Sequence, residues 1–242
     1  MSTQSVGHVG DGADSLRERV YRHLEESLCA GRIRDGEPLD QDALCERLGV
    51  SRTPLRDALI RLEAEGFVTI EPRRGVFITP LTDAFVKSAC QIIGTLESES
   101  LQSSFHKLTA RMVRELEESL ARQETLLPDR LPEYRAENDR FHDMLFRISG
   151  NPLLQELASR LRRRLNMMPE HPLSREQAHA AMTDHQRIVE SLKMGNCVAA
   201  ASILRFERWS PLRFLYSGPV GNRRRAAPRA AGKTLPDRFS AA

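Results

Sequence analysis

The sequence predicts a mainly α-helical protein in two parts, a small helical head closed by a two-stranded hairpin and a larger all-helical body. Three observations predict it. Apolar residues recur at helical spacing from about Ser15 to Ala30, and again in long segments from Thr82 onward. Two short β-branched runs, Phe67 to Glu71 and Val76 to Thr79, are joined by Pro72-Arg73-Arg74-Gly75 and read as a hairpin. Beyond Pro80 the strand signals stop.

In the head, Leu16, Val20, Leu24 and Leu28 share one face of the first helix, and Gly31 and Gly36 break it. A short helix follows over 41–48, with Ala43, Leu44 and Leu48 on its apolar face. Gly49 suits its end, because glycine takes positive φ at no steric cost. After the turn Gly49-Val50-Ser51, Thr53 is expected as N-cap and Pro54 as first helical residue, where a missing N–H costs nothing. Leu55, Ala58, Leu59 and Leu62 line one face of this helix, which ends at Gly66. Helix, sharp turn, capped helix and hairpin in this order form a winged helix-turn-helix.

The body reads as helices at about 83–105, 109–127, 131–149, 152–167, 174–194 and 196–216. Gly150-Asn151-Pro152, Pro169 to Pro172 and Gly195-Asn196 are its clearest breaks. Stripes such as Met112, Val113, Leu116 and Leu120, or Leu153, Leu154, Leu157 and Leu161, are expected to be bundle core. The division that follows is a flexible leader over 1–14, a head over 15–80, a helical domain over 82–217 and a basic, disordered tail over 218–242.

Composition bounds the function. Hydrophobic residues make up 40% and charged residues 29% of 242, the balance of a globular protein. No run reaches the roughly eighteen apolar residues of a membrane span, and the first residues lack the pattern of a secretory signal. A cytoplasmic chain that does not act at membranes is expected. Cys29, Cys45, Cys90 and Cys197 are far apart in sequence, which fits reduced thiols rather than a disulfide frame. Net charge is +3, but the first eighty residues hold eleven arginines, no lysine and fourteen acids, a net of −3. An argument for nucleic acid must therefore rest on particular arginines and not on bulk charge.

Arg52 and Arg56 lie off the Leu55/Leu59/Leu62 stripe, at the start of a helix whose diameter fits the major groove. A guanidinium can bond guanine bidentately or grip phosphate. Arg73 and Arg74, at the hairpin tip, can reach the adjacent backbone or minor groove. Ordinary solvated arginines on a surface helix are the bland alternative, and the cap, glycine turn and hairpin together weigh against it. The Arg223-Arg224-Arg225 run in the tail is read as a solvated end.

At these residues the chain resembles the GntR superfamily of bacterial transcriptional regulators, above all in Gly49-Val50-Ser51-Arg52-Thr53-Pro54-Leu55-Arg56. The remainder resembles the FadR/FCD effector domain, through Leu96-Glu97, Phe141-His142 with Ser149-Gly150-Asn151, and Asp184-His185 with Ile188. The resemblance implies a DNA-binding regulator, not an enzyme, that binds operator DNA as a homodimer and responds to a small-molecule effector. It assigns Arg52, Thr53, Arg56, Arg73, Arg74 and Gly75 to DNA. Asp42 stands where some members carry a DNA-contacting arginine.

Many such effector domains hold a divalent metal beside a small carboxylate. The matching positions here are Asn138, His142, His185 and Glu207, which the resemblance makes both metal and effector ligands. Asn138 and His142, four apart, share a helix face. Two imidazoles, a carboxylate and an amide oxygen could hold zinc, nickel or manganese. Glu207 replaces the usual histidine, and Ile93 replaces an arginine that often clamps the effector. The alternative is a hydrogen-bonded polar cluster without metal. Asp139-x-x-His142 and Glu176-x-x-His179 also suggest a di-iron enzyme, but that leaves the head unexplained. A sequence-indifferent DNA-binding protein would need a broadly basic head.

Overall fold

The computed structural model describes residues 16–29, 38–127, 129–166 and 174–212. The expected leader, the tail and the Pro169 to Pro172 break lie outside them.

The head contains α1 (Leu16–Cys29), α2 (Gln41–Leu48), α3 (Arg52–Ala64), β1 (Val68–Glu71) and β2 (Gly75–Ile78). The strands pair antiparallel, Val68 opposite Ile78 and Glu71 opposite Gly75, and Leu39 N–H adds a bond to Val76 O (2.7 Å). Leu24, Leu55, Leu59, Leu62 and Phe67 are fully buried where α1, α3 and the hairpin meet. Gly49 ends α2 with φ 63°, its N–H on the carbonyls of Cys45 and Glu46. The start of α3 differs from expectation. Ser51 is its N-cap, without a side-chain bond, Thr53 is inside the helix, and Pro54 is the third residue rather than the first. None of the first four helical N–H groups has an intrahelical partner, so proline fits anywhere in that turn and does not mark its first residue. Arg52 and Arg56 are thereby both helical and one turn apart on one face.

The helical domain contains α4 (Asp83–Ser104), α5 (Ala110–Leu126), α6 (Leu131–Ser149), α7 (Pro152–Leu165), α8 (Arg175–Lys193) and α9 (Cys197–Ser202), with a 3-10 turn over Phe105–Lys107 and a π turn over Ile203–Arg208. The breaks read in the sequence carry their expected chemistry. Gly150 is left-handed at the end of α6, and Asn151 then caps α7 through Leu153 N–H and Leu154 N–H. Ser174 and Gln177 form a reciprocal capping box at α8. The last helix differs from the single 196–216 segment expected. Its α-helical pitch stops at Ser202, and Trp209 N–H bonds Leu204 O across a π turn.

α4 is central, packed by α6, α7, α9 and the π turn. Two apolar layers lie along it, one around Leu101, Phe141, Leu145 and Ile188, the other around Val86, Ile93, Phe146 and Trp209. Glu97 stands one helical turn from Ile93 and one from Leu101, so a polar layer falls between them. The stripe expected on α7 is not core throughout. Leu153 and Leu157 are exposed, and the buried face of α7 is Ala158, Arg162 and Leu165. Among the described residues no helix is long and apolar enough to cross a membrane. Cys90 is buried and Cys45 and Cys197 are half-buried, all as free thiols, and burial pushes the Cys90 thiol up to about 12.

Candidate functional site

On the head, α3 buries Leu55, Ala58, Leu59 and Leu62 and turns Arg52, Thr53 and Arg56 outward. Arg56 is exposed and makes no ion pair among the described residues. Arg52 forms a fork on Asp42 of α2, Nη2 to Oδ1 at 2.8 Å and to Oδ2 at 3.0 Å. Both partners are exposed, so the pair is weak and an incoming phosphate or base can take its place. At the hairpin tip Arg74 N–H bonds Glu71 O (3.0 Å) and closes a turn with Pro72 and Arg73 at its centre. Arg73 has φ 64°, the sole non-glycine residue with positive φ among those described, at the turn position that usually takes glycine. Arg74 is ion-paired with Glu71 and lies over the Phe77 ring. Gly75 has φ 118°, a conformation that favours glycine, and a Cβ there would sit tight against Pro38 Cβ at 3.3 Å.

In the helical domain the structure brings three of the four expected ligands together and not the fourth. His142 on α6 and His185 on α8 are fully buried, their Nε2 atoms 3.3 Å apart. Asn138, one turn before His142, joins them through Arg208. The guanidinium donates from Nε to His185 Nε2 (3.2 Å) and from Nη2 to Asn138 Oδ1 (3.1 Å). Since His185 Nε2 accepts, its proton sits on Nδ1 and goes to Gln123 Oε1 (3.0 Å). Glu207 is elsewhere. It is half-exposed and pairs with Arg187 on the outer side of α8. The cause is the π turn, whose extra residue rotates the chain by about 100° relative to an α-helix. Position 208 faces the interior, and 207 turns out. Gly94 lets this turn approach α4, since a Cβ there would meet Arg205 O at 3.1 Å and Trp209 Cβ at 3.2 Å.

Sequence reasoning missed the centre of this layer. Glu97 is fully buried, with its two oxygens 3.0 and 3.1 Å from His142 Nδ1. It accepts from Trp209 Nε1 (2.6 Å) and Arg162 Nη1 (3.2 Å). Burial raises its pKa to about 7, with Arg162, Trp209 and Arg208 pulling it back down. Burial, then the guanidiniums of Arg208 and Arg162, holds His142 well below the ordinary imidazole value, so His142 is neutral. The available signal was position: Glu97 falls four residues after Ile93 and four before Leu101, on the apolar face of its helix. Ile93, at the arginine position of the family, is buried apolar core.

The donor set does not fit a divalent metal. With Glu207 turned away, the inward-facing donors are two neutral imidazoles and one amide oxygen, and two of the three already accept from a guanidinium. Among the described residues no group of three or more His, Cys, Asp or Glu could hold a metal ion. The di-iron arrangement is also absent from the geometry, because Glu176 and His179 are both exposed on α8.

A winged helix-turn-helix joined to a helical bundle with a polar layer defines a DNA-binding regulator with a separate helical domain. The family model described as "Bacterial regulatory proteins, gntR family" matches residues 16–78, and that of the FCD domain matches 89–205. The chain belongs to the GntR family of transcriptional regulators and carries an FCD domain. It is 28% identical over 190 residues to the HTH-type transcriptional regulator YdhC of Bacillus subtilis, covering 75% of this chain and 83% of that one. A regulator from an unstable DNA locus of Streptomyces ambofaciens is 33% identical over 135 residues, 56% of this chain and 57% of its own length, so the match spans little more than half of that relative. The fold is shared with a GntR regulator from Rhodococcus sp. RHA1, at TM-score 0.71 and 19% identity, covering 85% of this chain and all of that one.

Proposed function

We propose that this regulator is a cytoplasmic homodimer whose grip on operator DNA is set by a small molecule bound at the polar layer of its helical domain. The observation that carries this reading is Arg162-Arg163-Arg164 at the end of α7, three consecutive side chains that serve both domains. Arg162 sits in the polar layer on Glu97 and also bonds Asp143. Arg163 pairs with Glu25 of α1 (2.8 Å) and with Glu65 beyond α3 (3.6 Å). Arg164 donates to Thr79 O after β2 and lies over the rings of Phe67 and Phe85. A ligand that draws Arg162 from Glu97 shifts the same helix end that holds the head, and a ligand controls an equilibrium only through such differential contacts. The exposed apolar side chains Ile92 on α4 and Leu153 and Leu157 on α7, two helices that pack together, offer a surface for a second copy.

In this reading Arg52, Thr53 and Arg56 face the major groove and Arg73, Arg74 and Gly75 the flanking backbone. The head over 15–80 and the domain over 82–217 then act as two units joined at Pro80 to Thr82. Arg73→Gly separates wing strain from wing contact. It should stabilise the head by up to about 1 kcal/mol in denaturant unfolding, by removing a left-handed non-glycine residue. Operator binding should weaken at the same time. Unchanged operator affinity would take the wing tip out of the interface.

The reading as a whole is tested by selecting genomic fragments on purified protein, then screening small molecules for a shift in melting temperature and in operator affinity. A molecule that raises the melting temperature should change operator affinity in the wild type but not in Arg164→Ala, which should still bind both. If no small molecule alters operator affinity, effector control is overturned. An unaltered response in Arg164→Ala would instead overturn the α7 route.

A further inference from the structure

We propose that the helical domain carries its own cation: the Arg208 guanidinium takes the seat on which Asn138, His142 and His185 converge, and no divalent metal binds there. This deepens the effector reading above and rests on it only for what the layer is used for.

Both imidazoles are oriented from behind, His142 Nδ1 on Glu97 and His185 Nδ1 on Gln123, so that both Nε2 atoms turn inward. That second tier of hydrogen bonds is what orients a histidine toward a positive centre. Here the positive centre is covalently attached. Arg208 is 7% exposed, donates to His185 Nε2 and Asn138 Oδ1, and rests over the Trp209 ring at 4.7 Å. A guanidinium does not lose its proton in proteins, so its charge is permanent. Two features keep it in place. The π turn points residue 208 inward, and Gly94 lets that turn sit against α4. The same turn removes the one carboxylate of the set by facing Glu207 to Arg187. A divalent ion would therefore meet three neutral donors beside a fixed positive charge in a buried site, where like charges repel strongly.

The test uses full-length protein purified without a metal-affinity column. Metal content is measured by mass spectrometry before and after dialysis against zinc, nickel and manganese, and melting temperature is measured with and without chelator. The wild type should hold far less than one ion per chain, with a melting temperature indifferent to chelator and zinc. Arg208→Ala removes the guanidinium from His185 Nε2 and Asn138 Oδ1, beside His142 Nε2, and should take up zinc with a rise in melting temperature. Arg208→His, which adds a third imidazole, serves if the alanine variant does not fold. Wild-type protein with near-stoichiometric metal, or one that melts earlier with chelator, would overturn the proposal. So would folded variants that remain as metal-free as the wild type, because the guanidinium would then not be what excludes the ion. If neither variant folds, the wild-type metal content decides. Failure of the effector reading is separate, since a protein deaf to every small molecule can still be metal-free for the reason given.

Discussion

Glu97→Ala destabilises the protein by about 3–5 kcal/mol, the usual consequence of deleting one partner of a buried charged cluster. Glu97 is fully buried and holds three groups at once, the Trp209 indole, the Arg162 guanidinium and the His142 ring. Without it, Arg162 can still lean on Asp143, but the indole N–H and the ring Nδ1 face a cavity with no acceptor. The raised pKa of Glu97 does not soften the effect, because the protonated acid also keeps its carbonyl oxygen as an acceptor. Urea unfolding followed by circular dichroism gives the number. Glu115→Ala, which removes only surface pairs with Arg111 and Arg147, should leave the midpoint nearly where it was. Glu97→Gln should recover part of the loss, since its amide oxygen can accept from Trp209. A midpoint for Glu97→Ala equal to that of Glu115→Ala would show that the polar layer is not coupled to folding.

Arg56→Ala weakens specific operator binding by about 1–3 kcal/mol, roughly tenfold to a hundredfold, and leaves non-specific binding nearly unchanged. Arg56 projects from the exposed face of α3 with no competing ion pair among the described residues, and its backbone is fixed by the buried Leu55 and Leu59 on either side. Arg74→Ala should behave differently. As a wing residue facing phosphate it should lower specific and non-specific affinity together and flatten the salt dependence by about one unit of slope. Fluorescence anisotropy on operator and scrambled duplexes across a salt series distinguishes the two. Equal losses on both duplexes for Arg56→Ala would make it a phosphate contact. No loss on either would remove α3 as the reading helix.

The head was legible almost residue by residue because its determinants are local. Gly49 and Gly66 mark turns that need positive φ. Leu55, Ala58, Leu59 and Leu62 repeat at the helical period, and β-branched residues flank Pro72 to Gly75. Its one misplaced feature, the start of α3, is a case where Ser51, Thr53 and Pro54 suit more than one register equally well. In the helical domain the capped breaks were equally plain. The α7 stripe misled, because periodicity reveals that a helix has an apolar face and not what that face meets.

The candidate site divides along the same line. Helical spacing alone puts Asn138 and His142 on one face, and the sequence by itself also determined the number and order of helices that carry His142 and His185. Only the tertiary structure decided what fills the space between them. Glu97 becomes a hub through partners 45, 65 and 112 positions away, Arg162 enters the interior from within an arginine run that reads as surface, and Arg208 displaces Glu207. The physical reason is the π turn over Ile203–Arg208. Its stability comes from the close approach that Gly94 allows and from the bond of Trp209 to Glu97, both contacts with a helix a hundred residues earlier. No local pattern around Glu207 carries that information. An α-helix continued through it would have turned the carboxylate of Glu207 toward the buried face, one turn after Ile203.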